Sequence, residues 1–133
     1  MPASGPFTLG KKERIAGKRL VETLFKGGES RSMSCYPLRA VFVLVPMDSD
    51  GSKVKMMVSV PKRYFRRAVK RNRVKRQVRE AYRKQKTLVG VPMDKHPQQT
   101  LAVAFIWLSD QLFDTKYIEH RIGTLLTRIG ETL

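Results

Sequence analysis

Between Lys62 and Lys86 the chain places thirteen Lys or Arg against a single acid, Glu80, so this stretch holds +12 of a total net charge of +16. A segment of this kind has few apolar side chains with which to dock, so it reads as a one-faced helix on a core that other segments build. The remaining 108 residues carry fourteen bases and ten acids, so the charge is concentrated and is no general solubilising coat. A merely solvated helix face interleaves both signs at i, i+4, and here only Glu80 is available, to Arg76 and Lys84. A concentrated cationic element calls for a polyanion.

The rest of the chain supplies one core. Its 133 residues, 41% hydrophobic, fit a single domain, taken as residues 11–133 behind a loose leader at 1–10 that mixes Pro, Ser and Gly with Phe7 and Leu9. Cys35 is the only cysteine, which excludes an internal disulfide and a cysteine-based zinc cluster and makes the cytoplasm the expected compartment. The longest apolar run, Leu101 to Leu108, is far too short to span a bilayer. A basic helix lying on an anionic membrane needs a bulky lipid-facing side, whereas the stripe here is sized for a core. Nucleic acid is the expected partner.

Periodicity lays out the elements. Leu20, Val21, Leu24 and Phe25 recur at helical spacing over about Gly17 to Lys26, with Gly27-Gly28 as a stop. Tyr36 to Pro46 and Lys53 to Val60 are rich in β-branched and apolar residues on either side of Asp48-Ser49-Asp50-Gly51-Ser52, which predicts two strands paired as an antiparallel hairpin. Pro61 ends the second strand. In the basic helix Val74, Val78, Ala81 and Tyr82 form the apolar stripe. Residues 87–99, with Gly90, Pro92 and Pro97, read as a loop; Thr100 to Leu108 reads as a buried strand and Asp114 to Ile129 as a helix. The expected order is α-β-β-α-β-α, an α+β architecture.

No enzyme site of protein type is legible. A hydrolase needs a nucleophile with a base, or clustered carboxylates holding metal, and the eleven acids are scattered. Asp48-Ser49-Asp50-Gly51 lacks the later ligands of a calcium loop and reads as a turn. His96, in a Pro-flanked loop, and His120, on the last helix, have no partners at ligand spacing, and Cys35 reads as a structural thiol. The expectation is therefore no catalytic side chain and no metal ligand. Arginine outnumbers lysine in the basic segment, eight to five. Its planar fork suits phosphate pairs and can stack on an unpaired base, which favours a folded RNA over a DNA duplex. A helix preceded by a strand and Pro61 also lacks the partner helix, zinc site or zipper of the usual DNA readers.

The run Lys70-Arg71-Asn72-Arg73-Val74-Lys75-Arg76-Gln77-Val78-Arg79 resembles the signature of the bacterial ribonuclease P protein subunit, whose core is Arg-Asn-Arg, an aliphatic residue, Lys-Arg, two residues and Arg. Arg14-Ile15, Leu24-Phe25 with Gly27, and Val58-Ser59-Val60-Pro61-Lys62-Arg63 stand in the expected order around it. The resemblance covers roughly residues 7–130. It implies a compact α/β sandwich with a left-handed β-α-β crossover, where general chain rules favour the right-handed form. It also implies the small subunit of an endoribonuclease that removes the 5′ leader of precursor tRNA, with the catalytic centre and Mg²⁺ in the RNA subunit. One protein monomer per RNA is expected.

Two surfaces follow from the resemblance. Lys62, Arg63, Arg66, Arg67, Lys70, Arg71, Asn72, Arg73, Lys75, Arg76 and Arg79 are expected against the catalytic RNA. The Asn72 amide suits either a brace for the preceding loop or a ribose contact. A cleft between the first helix and the exposed sheet face is expected to hold the single-stranded leader, lined by Val21, Phe25, Tyr36, Arg39, Val58, Val60 and Trp107, with Lys62 nearby. Phe25 and Tyr36 suit core packing as well as base stacking. Two departures from the family stand out. Lys62-Arg63-Tyr64-Phe65-Arg66-Arg67 is one residue longer than the usual step and lacks its glycine, and Ala104-Phe105-Ile106-Trp107 replaces a common Ala-Arg step, so that Trp107 is expected to stack where a cation otherwise stands. The competing readings are a non-catalytic RNA-assembly protein and, at a distance, a stand-alone protein nuclease, which the scattered acids disfavour.

Overall fold

A computed structural model describes residue 10, residues 13–15 and residues 17–133. The expected leader at 1–10 lies outside the described residues except for Gly10. The elements are α1 (Lys18–Lys26), β1 (Arg31–Cys35), β2 (Leu38–Pro46), β3 (Val54–Ser59), α2 (Ala68–Gln85), α3 (Thr87–Gly90), β4 (Gln99–Trp107) and α4 (Thr115–Thr132), with a 3-10 turn at Pro92–Lys95.

The sheet runs β1-β2-β4-β3. β1 and β4 are antiparallel to β2, and β3 is parallel to β4. The expected hairpin between the strands at 36–46 and 53–60 is therefore corrected, because β4 lies between them. The cause is burial. Leu101 through Phe105 and Trp107 are inaccessible on both faces, so β4 takes the centre, where both faces are covered. β3 alternates buried Val54, Met56 and Val58 with half-buried Lys55, Met57 and Ser59 and sits outside it. The segment before α1 meets that outer edge, where the Ile15 amide donates to the Met56 carbonyl at 2.9 Å.

The strand expected at 36–46 is β2, and a strand that was not expected, β1, precedes it, the two turning at Tyr36-Pro37. β1 escapes a hydrophobicity reading because Arg31, Ser32 and Ser34 are exposed and only Met33 and Cys35 reach the core. The expected loop at 87–99 is also corrected. It holds α3 and the 3-10 turn, which bury Val89 and Met93. Gly90 closes one short helix and Pro92 opens the next turn, a place where its missing N–H costs nothing. α4 starts where Asp114 accepts a hydrogen bond from the Tyr117 amide at 2.8 Å.

One face of the sheet carries the main core. Leu38, Ala40, Phe42, Val103, Phe105 and Trp107 meet Val74, Val78, Ala81 and Tyr82 of α2 and Ile118, Ile122, Leu125, Leu126 and Ile129 of α4. The stripe expected on the basic helix is the stripe it buries. On the other face Leu24 of α1 covers Val41, Val43, Ala102 and Ala104, with Leu20 and Ile15 beside it. The sheet is thus fully roofed on one side and partly on the other.

Candidate nucleic-acid interface

α2 emerges from Pro61 through a loop that its own first turns hold in place. The Arg71 guanidinium donates from Nη1 to the Phe65 carbonyl at 2.7 Å and to the Arg66 carbonyl at 2.8 Å. Phe65 anchors the loop in the core at 5% exposure. The brace that Asn72 was a candidate for is supplied by Arg71, and Asn72 is exposed with no side-chain hydrogen bond among the described residues. Arg63 lies over the Tyr64 ring, 5.0 Å from its centroid, which fixes a cation at the loop's outer surface.

The cations divide sharply along the segment. At its C-terminal end Arg83 pairs with Glu80 at 2.5 Å, Lys84 with Glu119 at 2.9 Å and Lys86 with Glu13 at 2.7 Å. The Arg83 hydrogen bond holds the Glu80 carboxyl below its ordinary range, against the weaker upward pull of burial. From Lys62 to Arg79 the ten Lys and Arg have no carboxylate partner among the described residues. Most are exposed; Arg71, Lys75 and Arg79 are half-buried. Burial and then the neighbouring Arg14 pull the Arg79 guanidinium below its ordinary value, the signature of a cation with no anion beside it.

The second candidate surface is the α1 face of the sheet. Strand registers align Ser34, Arg39, Ile106 and Ser59 in one row across it, and Ser32, Val41, Ala104 and Met57 in the next. The first turn of α1 faces Val45, Lys55 and Thr100, so the helix covers the far end of the face and the Arg39 row stays open. Arg39 is exposed, with Nη2 3.5 Å from the Ser32 Oγ. Val21 is half-buried and Phe25 is 45% exposed on α1.

Other expected lining residues lie elsewhere. Val58, Val60 and Trp107 belong to the core under α2 and α4, on the opposite side of the sheet. The expectation of Trp107 in the cleft is corrected: it is fully buried, edge-on to Phe113 at 5.8 Å. Tyr36 is 56% exposed at the β1–β2 turn, and its ring contact is with that same Phe113, at 6.3 Å. Strand parity supplies replacements that residue type did not suggest, namely Ser59, Met57 and Ile106. Cys35 is half-buried with Sγ 3.7 Å from Arg121 Nη1, and His96 Nε2 lies 3.1 Å from the Leu133 carbonyl. Among the described residues no three His, Cys, Asp or Glu side chains come close enough to hold a metal ion, and no helix is long and apolar enough to cross a membrane.

Fold and surface define an α+β protein with a four-stranded sheet whose basic segment presents ten cations, Lys62 to Arg79, with no carboxylate partner among the described residues. Comparison with known proteins gives this class its family. The ribonuclease P family model matches residues 9–99. The ribonuclease P protein component of Porphyromonas gingivalis is 40% identical over 130 residues, 98% of this chain and 92% of that one. That of Thermotoga petrophila is 30% identical, covering 90% of this chain and 93% of its own. The solved ribonuclease P protein of Thermotoga maritima has the same fold, with a TM-score of 0.67 at 21% identity, over 87% of this chain and 96% of that one. The chain belongs to the ribonuclease P protein family. Membership is consistent with a role in tRNA 5′ processing and implies an RNA partner in the holoenzyme.

Proposed function

We propose that the loop at 62–67 and the N-terminal half of α2 bind the ribonuclease P RNA, and that the open Arg39 row with Val21 and Phe25 of α1 holds the single-stranded 5′ leader of precursor tRNA. The observation that carries this reading is the run of ten cations without a carboxylate partner among the described residues. Each phosphate they meet releases condensed counterions, a gain that cations already paired within the protein cannot give. Arg63, Arg66, Arg67, Lys70, Arg73 and Arg76 make the direct contacts, and Arg71 keeps the loop in register beneath them.

The leader site combines the half-exposed Phe25 ring, an Arg39 guanidinium, and the hydroxyls of Ser34 and Ser59. This is a mixture of stacking, charge and hydrogen bonding suited to an unpaired strand. The protein supplies no catalytic side chain in this reading. Its described residues do not fit a protein-held Mg²⁺, for want of clustered carboxylates and because the uncompensated face repels a divalent cation. Mg²⁺ held by the RNA would supply the activated water, while the protein neutralises phosphate repulsion and positions the substrate. It acts as one monomer per RNA, in the cytoplasm.

The test is precursor-tRNA cleavage at low Mg²⁺ by a bacterial ribonuclease P RNA, with and without the protein, alongside Arg73→Ala/Arg76→Ala. Rescue of correct 5′ cleavage by the native protein, weakened in the double variant, supports the reading. RNA binding with unchanged cleavage replaces it with an RNA-assembly role.

A further inference from the structure

An aromatic cluster borders the cationic half of α2 and has no part in the leader site. Tyr36 meets Phe113 edge-on at 6.3 Å, and Phe113 stacks on Tyr117 at 5.0 Å with 14° between the planes. Arg121 lies over the Tyr117 ring, 4.7 Å from its centroid, and donates from Nη2 to its hydroxyl at 2.9 Å. The contacts close on themselves, because Arg121 Nη1 also reaches Cys35 Sγ, the residue before Tyr36. Gln77 of α2 donates to the Phe113 carbonyl at 3.1 Å and approaches Thr115 Oγ1 at 3.3 Å. The cluster therefore begins one side chain away from the exposed Arg73 and Arg76.

Two features of this cluster are left over by the contacts within it. Tyr36 leaves 56% of its surface in water, while Phe113, Tyr117, Arg121 and Cys35 behind it are half-buried. Arg121 is held in one place by ring and hydroxyl, yet pairs with no carboxylate among the described residues. A fixed, half-open ring beside a fixed, uncompensated guanidinium is the pairing that a nucleotide uses, base on ring and phosphate on cation.

We propose that Tyr36, backed by Phe113, is a stacking platform for an unpaired nucleobase of the RNA partner, with Arg121 taking the adjacent phosphate. The proposal rests on the RNA-binding reading of α2, which it extends past the helix onto the β1–β2 turn. A single strand leaving the Arg73–Arg76 surface reaches the platform across Gln77, with Arg121 as the cation at its far end. The platform's energy comes from a π-face, so it tolerates any base.

The experiment measures binding of the full chain to Porphyromonas gingivalis ribonuclease P RNA across a salt series. Tyr36→Ala is expected to weaken binding about tenfold with the salt slope unchanged, because no phosphate contact is lost. Tyr36→Phe is expected to stay within about twofold. Tyr36→Leu keeps an apolar side chain over Phe113 without the ring; its melting temperature reports on folding, and it is expected to bind as weakly as Tyr36→Ala. Arg121→Ala is expected to lower the slope by about 0.7 to 0.9. Native-like binding by a folded Tyr36→Leu, with Arg73→Ala/Arg76→Ala still impaired, overturns the platform and leaves the helix interface standing. Native binding by Arg73→Ala/Arg76→Ala with Tyr36→Leu impaired supports the platform and removes the helix interface.

Discussion

The two ends of the basic segment have similar side chains and opposite surroundings. From Glu80 onward, Arg83, Lys84 and Lys86 are each met by a carboxylate, from α2 itself, from α4 and from the segment before α1. This end also buries Ala81 and Tyr82. Before Glu80 six of the first twelve residues of the same helix are cations, and the described fold offers them no acid. Charge in one half is part of the fold's cohesion, and in the other it is left for something outside. A count of Lys and Arg cannot separate these roles; the position of Glu13, Glu80 and Glu119 can.

Substitutions break or sharpen this division in order of size. The largest effect belongs to the C-terminal half: Tyr82→Ala removes a side chain 1% exposed and is expected to cost about 3 to 5 kcal/mol in chemical denaturation. Next comes Arg73→Ala/Arg76→Ala, which is expected to lower the salt slope of RNA binding by about 1.4 to 1.8 while leaving stability within about 0.5 kcal/mol. Lys84→Ala serves as its mirror, and an equal loss of slope there would erase the contrast between the halves.

Arg71→Ala sits between the two classes. Losing the bonds to the Phe65 and Arg66 carbonyls is expected to destabilise the free protein by about 1 to 2 kcal/mol. Faster amide exchange confined to residues 61–67 is the signature to look for. An Arg71→Ala protein that melts like the native one and exchanges no faster there would return Arg71 to the simple phosphate contacts.

The smallest effect is Glu80→Gln. Its carboxyl titrates below the ordinary value of 4.5, chiefly because Arg83 hydrogen-bonds it. That pairing therefore adds stability above the ordinary carboxylate range and loses it as pH falls through the lowered value. The Glu80 side chain is 43% exposed, so solvent screening limits the contribution to a few tenths of a kcal/mol, about that of an ordinary helix pair. Native and Glu80→Gln melting curves are expected to differ slightly at neutral pH and converge in acid.

Much of the helical layer could be read from the amino acids, because period 3.6 survives among charged neighbours. Val74, Val78, Ala81 and Tyr82 on α2, and Ile118 to Ile129 on α4, face the core as their spacing requires. The sheet was harder. β1 hides behind Arg31, Ser32 and Ser34, and the parallel β3–β4 pairing joins segments that are distant along the chain and so leaves no local mark. For the leader face, strand parity contained more than residue type. Val58 and Ser59 cannot point the same way, so a buried Val58 under α2 turns Ser59 outward. Which side the helices cover is a tertiary fact, and without it Val58, Val60 and Trp107 fell on the wrong face.

The central place of β4 also sets a sequence of events. β2 and β3 are both complete before β4 is made, yet neither pairs with the other; each waits for the strand that will stand between them. During synthesis α2 leaves the ribosome before the middle of its sheet exists and before α4 can flank it. For that interval all of its cations except Arg83, which Glu80 of the same helix meets, are open to whatever polyanion is nearby. Closure of the sheet is a late, long-range step, and it is also the step at which Glu119 of α4 arrives beside Lys84 and the helix acquires its neutral half.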